Sequence, residues 1–446
     1  MMTLDRLTRL YYKDQGLKYL SVRDYNNAIK LFNLWQYTDI SLSDIDKYEY
    51  DFDMLNMIER TLNGEYPLNI SNIKYKDGEK IRIAYLAHTL DSPSAIMAKI
   101  LLSVIKHHDV SKFEIHVFTL ESLPRVMIYP GRGFIQQFKD ADCTIHYAAN
   151  FKFGFNKLLS IATEINKIQP HIMVTCTVLA DFKHFFISAL KPAPIRIGFV
   201  AGAPAQFIPP SFDYGMSWFT HSIADCPVTC LNTGIIYIPE EKPTGKSRRS
   251  NFGIPKDVVV LTSVGRYPKF QDKRMFDLIV ETMERLHDLH YVIVMSNPEK
   301  LELSDIPVGV KERIHVFDWC EDYEKYLMIS DIFLDTFPSG GGVTIHDAAL
   351  AKLPIISFED DLSIPFDQSN WNPAEDKLSS ELMIMIRRYH IEDLKVAIYN
   401  LYKDKELRRE MGNKAYESIS SMRSNIGDNV KKIESLYVKL VEEKLL

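Results

Sequence analysis

Three consecutive glycines, Gly340 to Gly342, limit what the chain around them can fold into. The apolar run Ile-Phe-Leu shortly before them has the composition of a buried strand, and a helix-period pattern begins near Thr344. Glycine lets a phosphate group approach the backbone closely, and the first turn of a helix offers unpaired N–H groups and the positive end of its dipole. The segment therefore predicts a site for a nucleotide diphosphate.

Two polar side chains share one face of that predicted helix. Thr344 and Asp347 are spaced i and i+3, so a hydroxyl can meet the diphosphate while a carboxylate meets ribose hydroxyls. The backbone of Gly341, Gly342 and Val343 would complete the diphosphate contacts. The pattern is neither a P-loop nor a GxGxxG fingerprint, because the glycines are contiguous and no Gly-Lys-Ser/Thr follows. A glycine-rich turn kept only for packing is the alternative.

Composition indicates a large, acidic protein with few cysteines. Its 446 residues predict two large domains and an appendage. The net charge of −6 argues against a general nucleic-acid binder. The five cysteines are an odd number, mostly in apolar runs, which is typical of reduced proteins, and Cys226-x-x-x-Cys230 is only a weak zinc candidate. No stretch approaches the roughly 18 apolar residues of a membrane span, so we expect a cytoplasmic protein without a transmembrane segment or signal peptide.

The pattern divides the chain into three regions. Residues 1–75 are predicted to be helical, and residues 16–32 resemble one helical hairpin of a tetratricopeptide repeat, with no second copy about 34 residues away. One hairpin cannot form a solenoid, so we expect a cap on the neighbouring domain, with a role in holding an acceptor as the alternative. Residues 76–238 and 251–446 alternate short apolar runs with helix-period runs, and the polar segment 239–250 is the predicted linker.

This alternation predicts an α/β protein with two doubly wound parallel sheets, in which ligands bind at the carboxyl ends of the strands. The predicted strands are 81–87, 114–119, 143–147, 171–175 and 195–201 in the first domain, and 258–263, 291–295, 314–317, 332–334 and 355–358 in the second. The predicted helices of the first domain are 95–107, 157–168 and 181–190.

Several spaced residues around the glycines form a recognisable set. They are Asp335-Thr-Phe-Pro338, a glycine pair, Thr344, Asp347 and Ala351-Lys-Leu-Pro354, joined by the upstream runs Lys191-Pro-Ala-Pro-Ile-Arg196, Gly202-Ala-Pro204 and Asp213-Tyr214. The set resembles the donor-site signature of the O-GlcNAc transferase-type glycosyltransferases and of the bacterial HMW1C-like protein glycosyltransferases. The resemblance covers most of residues 76–420. It implies a GT-B fold of two Rossmann-like domains, with the backbone of Gly202 beside the donor sugar.

A cation is expected near the glycines, because a departing nucleotide diphosphate carries about two to three negative charges. The run Val264-Gly-Arg266-Tyr-Pro-Lys269 follows the first predicted strand of the second domain. The family has a Gln/Lys pair here, so the resemblance implies that Lys269 holds the pyrophosphate and balances the leaving charge, while Arg266 replaces the glutamine. Two solvated cations on a loop are the alternative, and we assign Lys273 and Arg274 to that class.

The segment Phe317-Asp-Trp-Cys-Glu-Asp-Tyr323 lies upstream of the glycines. In the family, backbone groups of this segment read uracil and a histidine stacks nearby, at the place that Tyr323 occupies here. The resemblance therefore implies a uridine nucleotide. Tyr323 is either a stacking aromatic or a core tyrosine.

The catalytic base is the least constrained part of the prediction. Residues 83–94 match the family's first strand and loop, which ends with a histidine where this chain, counted without gaps, has Pro93. His88 or Asp91 could serve as the base if the loop differs in length, although a histidine at a strand end is more often structural. No Asp-x-Asp motif with an acidic partner and no paired Glu/Asp at hydrolase spacing stands out. We therefore expect a reaction without a metal cofactor, in which Lys269 and the helix N-terminus act as magnesium does in other sugar transferases.

The resemblance implies a bacterial enzyme that moves a hexose or N-acetylhexosamine from a UDP-sugar to a side chain of a protein acceptor. One alternative is a transferase of the same fold that acts on a glycan or a lipid-linked acceptor. The other is a catalytically silent GT-B subunit that binds an acceptor or a partner glycosyltransferase. The sequence leaves open whether the chain works alone, with a partner subunit or as a homo-oligomer.

Overall fold

The computed structural model describes residues 4–40, 51–87, 89–90, 95–128, 132–176, 181–200, 208–218, 226–240, 248–270, 272–337, 340–359, 378–387 and 390–446. These residues form two compact units. The first contains the described residues of Met1–Leu42, Tyr48–Tyr237 and Asn425–Leu446, and the second contains those of Ile238–Ser424.

The first unit is built on one parallel sheet. Its described strands are β1 (Ile81–Leu86), β2 (Phe113–Phe118), β3 (Cys143–His146), β4 (Ile172–Thr175), β5 (Ile195–Val200), β6 (Tyr214–Ser217) and β7 (Cys230–Asn232). They pair in the order β3-β2-β1-β4-β5-β6-β7. The order therefore reverses between β1 and β4, as in a doubly wound fold.

The helices of the first unit begin with three that precede the sheet. The described helices up to the last strand are α1 (Leu4–Ser21), α2 (Tyr25–Ile40), α3 (Phe52–Glu65), α4 (Ile96–Lys106), α5 (Leu123–Ile128), α6 (Arg132–Lys139), α7 (Gly154–Lys167) and α8 (Phe182–Ala189). Several begin at a side-chain cap: Asp181, for example, accepts a hydrogen bond of 2.9 Å from the backbone N–H of Lys183.

The second unit repeats the same architecture. Its described strands are β8 (Val259–Gly265), β9 (Leu289–Met295), β10 (Ile314–Asp318), β11 (Ile332–Leu334), β12 (Ile355–Phe358) and β13 (Ile384–Ile386). Its described helices are α9 (Lys273–Arg285), α10 (Val308–Lys311), α11 (Glu324–Leu327), α12 (Val343–Leu350), α13 (Asp393–Lys403) and α14 (Lys405–Ser424). The strands are parallel and pair in the order β10-β9-β8-β11-β12-β13, so the order reverses between β8 and β11.

The composition of the strands explains why both sheets are parallel and covered on both faces. Every residue of β5 and β9 is buried, and nearly continuous apolar runs are typical of strands with helices on either side. The predicted α/β class with two doubly wound parallel sheets is confirmed.

The first two helices are part of the core of the first unit. Gly16 of α1 lies so close to α2 that a Cβ atom there would be 2.6 Å from the ring of Phe32. Phe32 is fully buried and stacks on Phe182 of α8, with ring centroids 5.5 Å apart. Tyr25 packs on Phe155 at 4.3 Å. The structure thus groups the helical N-terminal region with the first sheet.

A buried ion pair holds α3 on the same sheet. The guanidinium of Arg196 on β5 donates two hydrogen bonds, of 3.1 and 3.2 Å, to the carboxylate of Glu59. Lys191 lies 2.7 Å from the same carboxylate. Burial raises the pKa of Glu59, but the charge and hydrogen bonds of Arg196 outweigh it and the pKa is lowered overall. Arg196, part of the family-like run, has a structural contact in this molecule.

The final helix, α15 (Ile426–Leu445), also belongs to the first unit. The hydroxyls of Tyr437 and Tyr85 are 3.1 Å apart, and Tyr85 is 2.7 Å from Nε2 of His108. Glu434 accepts a hydrogen bond of 2.7 Å from the backbone N–H of Asp109. The predicted second domain, residues 251–446, included this helix, because an amphipathic pattern does not say which sheet a helix covers.

Candidate functional site

The point where the strand order reverses in the second sheet is where the predicted nucleotide residues meet. Neighbouring strands β8 and β11 continue into different loops at their carboxyl ends. Residues 266–270 follow β8, and residues 335–342 follow β11 and lead into α12. Ligands of doubly wound folds bind outside the carboxyl ends of the strands at such a switch point.

Lys269 joins the two loops. It lies in a single 3₁₀ turn, Tyr267–Phe270, and its Nζ donates a hydrogen bond to the carbonyl oxygen of Gly340. Burial lowers the pKa of Lys269, the nearby charge of Arg266 lowers it further, and the carboxylate of Asp335 opposes both. The structure therefore places this ammonium beside the glycines.

The buried side chain of Asp335 holds the glycine loop through hydrogen bonds. Its side chain is fully buried and accepts hydrogen bonds from the N–H of Gly341 at 2.6 Å, the N–H of Thr336 at 2.8 Å and the hydroxyl of Ser357 at 2.7 Å. Burial raises the pKa of Asp335, while Lys269 and these hydrogen bonds oppose the rise. Asp335 belongs to the donor-site signature, but no contact was predicted for it. An acidic residue directly after a buried strand was the available signal.

Gly341 is required by close packing. A Cβ atom at this position would lie 2.0 Å from Oγ1 of Thr344 and 3.0 Å from Oδ1 of Asp335. Because real Cβ atoms do not come that close, a residue other than glycine would force the Thr344 side chain or the loop to shift. The tight turn packs Gly341 directly against the start of α12.

The N-terminus of α12 has the features of an anion site. Gly342 is the N-cap residue and makes no side-chain capping hydrogen bond, and Val343 is the first helical residue. The hydroxyl oxygen of Thr344 is buried and has no hydrogen-bond partner among the described residues. A buried hydroxyl without a partner is costly, and an anion at the helix N-terminus would satisfy it together with the uncapped N–H groups.

Helix α14 packs against the C-terminal end of α12. A Cβ atom at Gly412 would lie 1.9 Å from the carbonyl oxygen of Lys352, two residues after the end of α12. The absence of a side chain at Gly412 thus allows the two segments to pack backbone to backbone. This contact fixes the end of α12 opposite to the candidate anion site.

Asp347 and Tyr323 are joined directly. Asp347 lies on the second turn of α12 with an exposed fraction of 6%. The hydroxyl of Tyr323 donates a hydrogen bond to its Oδ2. The ring of Trp319, which is 36% exposed, lies 6.5 Å from that of Tyr323 between centroids. The two residues predicted to contact ribose and base are therefore neighbours, although the hydrogen bond between them was not predicted.

The other predicted cations occupy different settings. Arg266 is exposed at the end of β8. Lys273 is exposed in the first turn of α9. Arg274 pairs with Asp272 at 2.7 Å and lies over the ring of Phe337 at 5.6 Å.

The predicted base and acceptor-side residues, His88, Asp91 and Gly202, lie outside the described residues. Next to them, Thr89 donates a hydrogen bond of 2.8 Å to the carboxylate of Glu121, which also accepts one of 3.2 Å from the N–H of Leu90. Across the described part of the chain, no group of three or more His, Cys, Asp or Glu residues could hold a metal ion. No described helix is long and apolar enough to cross a membrane.

Comparison with protein families gives no match to a family model. Among curated proteins, the chain is similar to the O-antigen biosynthesis glycosyltransferase WclY of Escherichia coli, with 26% identity over 112 residues. The match covers 24% of this chain and 31% of that protein. The chain thus matches less than a third of the length of this relative.

Solved structures are similar over most of the chain. A mutant of the Thermobaculum terrenum O-GlcNAc transferase superposes with a TM-score of 0.64 and 14% identity, covering 98% of this chain and 85% of that one. TarM superposes with a TM-score of 0.59 and 11% identity, covering 81% of this chain and 100% of that one. WaaG, a glycosyltransferase of lipopolysaccharide biosynthesis, superposes with a TM-score of 0.50 and 15% identity, covering 80% of this chain and 99% of that one. The protein therefore has the GT-B fold, as the sequence predicted.

Proposed function

We propose that the protein is a glycosyltransferase whose second unit binds the diphosphate of a UDP-sugar at the N-terminus of α12. The observation that carries the proposal is the buried hydroxyl of Thr344, which has no partner among the described residues and lies at an uncapped helix start. A diphosphate oxygen would accept its proton and the first N–H bonds of the helix. Gly342 and Val343 would contribute backbone N–H groups, whereas the N–H of Gly341 already donates to Asp335 and Gly341 would contribute the close approach that its missing side chain allows.

Lys269 would balance the charge of the leaving nucleotide. Its ammonium donates to the carbonyl of Gly340 and faces the buried Asp335, so it is already held next to the anion site. A preorganised cation stabilises negative charge that develops in the transition state and needs no rearrangement at that moment. Arg266, which is exposed beside it, would add a second, weaker contribution.

Asp347 would hold the ribose and Tyr323 would lie at the base. The Asp347 carboxylate lies on α12 next to the anion site, can accept hydrogen bonds at both oxygens, and already accepts one at Oδ2 from Tyr323. The same hydrogen bond fixes the Tyr323 ring, with Trp319 as the next aromatic. Uridine as the base rests on the family resemblance of residues 317–323.

The acceptor we propose is a protein side chain, and the transferred group a hexose or N-acetylhexosamine. The similarity of the fold to that of an O-GlcNAc transferase over 98% of this chain supports this choice. A glycan or lipid-linked acceptor is the second candidate, because the curated relative is an O-antigen biosynthesis enzyme. Assaying sugar transfer to protein against transfer to saccharide primers separates the two, and a silent subunit would do neither. His88 and Asp91 stay the proposed bases, with Gly202 beside the sugar.

We place this activity in the cytoplasm. All five cysteines are unpaired in the structure, as is usual in proteins of reducing compartments.

The proposal predicts that Lys269→Ala weakens UDP binding by about ten- to a hundredfold. Hydrogen bonds to charged groups are worth roughly 1.5–3 kcal/mol. Lys273→Ala is the matched control, because Lys273 is exposed on α9 and should leave the affinity unchanged. UDP titration by calorimetry on both variants measures the difference, and melting curves verify that each is folded.

Equal binding by both variants and the parent would place the diphosphate elsewhere. If the parent has no affinity for UDP but binds another nucleotide, the proposed diphosphate site is retained and the proposal of uridine as the donor base is wrong.

We also predict that turnover or hydrolysis of the UDP-sugar is unaffected by EDTA. In this proposal Lys269 and the N-terminus of α12 supply the positive charge that Mg²⁺ or Mn²⁺ supplies in metal-dependent transferases. Activity is measured before and after chelation, with a metal-dependent sugar transferase as control. Loss of activity in EDTA that Mn²⁺ restores would refute this assignment.

A further inference from the structure

Two phenylalanines project from the carboxyl edge of the first sheet. Phe151 and Phe153 follow β3 and have exposed fractions of 83% and 77%, the highest among the large apolar side chains of the described residues. Leu123, which follows the neighbouring strand β2 at the same edge, is 47% exposed. We call Leu123, Phe151 and Phe153, with the cations described below, the basic aromatic edge.

The loop that carries the phenylalanines is anchored. Gly154 has a φ of +55°, and a Cβ atom there would lie 2.1 Å from Oδ1 of Asn26. That oxygen accepts a hydrogen bond of 2.7 Å from the N–H of Phe155, whose side chain is buried in the core. Lys152 donates a hydrogen bond of 3.0 Å to the hydroxyl of Ser160 on α7. The fold thus holds both rings outward instead of burying them.

Cations lie beside these phenylalanines in the sequence or at the same edge of the sheet, although the chain as a whole has a net charge of −6. Lys152 lies between the phenylalanines, Lys157 lies on the first turn of α7, and Arg125 and Lys183 lie on α5 and α8, which follow β2 and β4 at the same edge. Burial lowers the pKa of Lys157, the carboxylate of Glu121 opposes that shift, and the charges of Arg125 and Lys183 lower the pKa further, so these groups lie close together.

The acids at this edge are engaged with the protein itself. The carboxylate of Glu121 accepts hydrogen bonds from Thr89 and Leu90, and also from the hydroxyl of Thr119. Asp181 caps α8. Asp181 also lies 3.7 Å from the ammonium of Lys183, and the Glu121 carboxylate acts on Lys157. Among the residues that the structure describes here, the four cations still outnumber these two carboxylates.

We propose that the basic aromatic edge docks the protein on the surface of an anionic lipid bilayer. A soluble polyanion would use the cations but would leave two phenylalanines in water. A bilayer interface accepts both, because Phe and Leu side chains enter the boundary of the acyl chains while Lys and Arg meet anionic headgroups. The inference does not depend on the proposed enzymatic activity.

Vesicle co-sedimentation tests the proposal. The full chain is expected to bind vesicles of phosphatidylcholine with phosphatidylglycerol and to bind pure phosphatidylcholine vesicles at least about tenfold more weakly, since the cations lose their partners. The double variant Phe151→Ser/Phe153→Ser should lose at least about tenfold in partitioning into the anionic vesicles. Lys152→Gln should lower binding by severalfold and lose its effect at high salt.

The control is Val110→Ser/Lys112→Gln, an exposed apolar and cationic pair just before β2, at the opposite edge of the same sheet. It should bind like the parent. Equal binding of the parent to neutral and anionic vesicles, or no loss in the phenylalanine variant, would overturn the proposal. Binding to dextran sulfate that needs Lys152 and not the phenylalanines, without vesicle binding, would assign the edge to a soluble polyanion instead.

Discussion

Replacing Gly341 with alanine is expected to reduce UDP affinity more than about a hundredfold while the protein stays folded. The added Cβ would lie 2.0 Å from Oγ1 of Thr344 and 3.0 Å from Oδ1 of Asp335. Asp335 cannot retreat, because it is fully buried and accepts three hydrogen bonds. Either the Thr344 hydroxyl is turned away or the loop moves from the start of α12, and in both cases hydrogen bonds to a charged ligand are lost.

Gly309→Ala is the control for this variant. Gly309 lies in α10 of the same unit, and no atom lies within 4 Å of the Cβ that alanine would add. Alanine also has the higher helix propensity, so the control should bind UDP normally and melt no lower than the parent. Calorimetric titration with UDP and melting curves of both variants measure the change in affinity and in stability. Normal UDP binding by Gly341→Ala would show that the diphosphate does not use this loop.

The architecture could be predicted from the sequence because buried parallel strands are apolar throughout. The predicted strands 332–334 and 355–358 have the bounds of β11 and β12. Three strands were not predicted, namely β6, β7 and β13. β6 reads Tyr-Gly-Met-Ser and β7 only Cys-Leu-Asn, so neither has an apolar run. Their pairing with a neighbouring strand, which is a tertiary contact, is what makes them strands.

The residues of the candidate site could be predicted better than their contacts. Lys269, Thr344 and Asp347 follow from the need for a cation, a hydroxyl and a carboxylate near a glycine turn. The hydrogen bond between Tyr323 and Asp347 joins positions 24 apart, and that between Ser357 and Asp335 joins positions 22 apart. No periodicity relates such pairs, because they are brought together by the order of strands in the sheet.

Removing residues 1–40 should destabilise the first unit rather than only impair acceptor binding. Phe32 and Tyr25 are buried against Phe182 and Phe155, so the deletion would expose the core over α7 and α8. We expect the truncated chain to be poorly soluble and to melt well below the parent. The point variant Phe32→Ala should cost about 3–5 kcal/mol of unfolding free energy, as truncation of a buried phenylalanine usually does.

Leu34→Ala on the same helix is the matched control, because Leu34 is 37% exposed and its truncation should cost far less. Denaturant unfolding of both variants, with UDP titration in parallel, separates a stabilising role from an acceptor-binding role. If the first two helices only cap the domain, stability and activity should fall together in Phe32→Ala. If the truncated chain is instead folded, binds UDP like the parent and no longer modifies a protein acceptor, then the first two helices hold the acceptor, and their packing on α8 serves to position them for it.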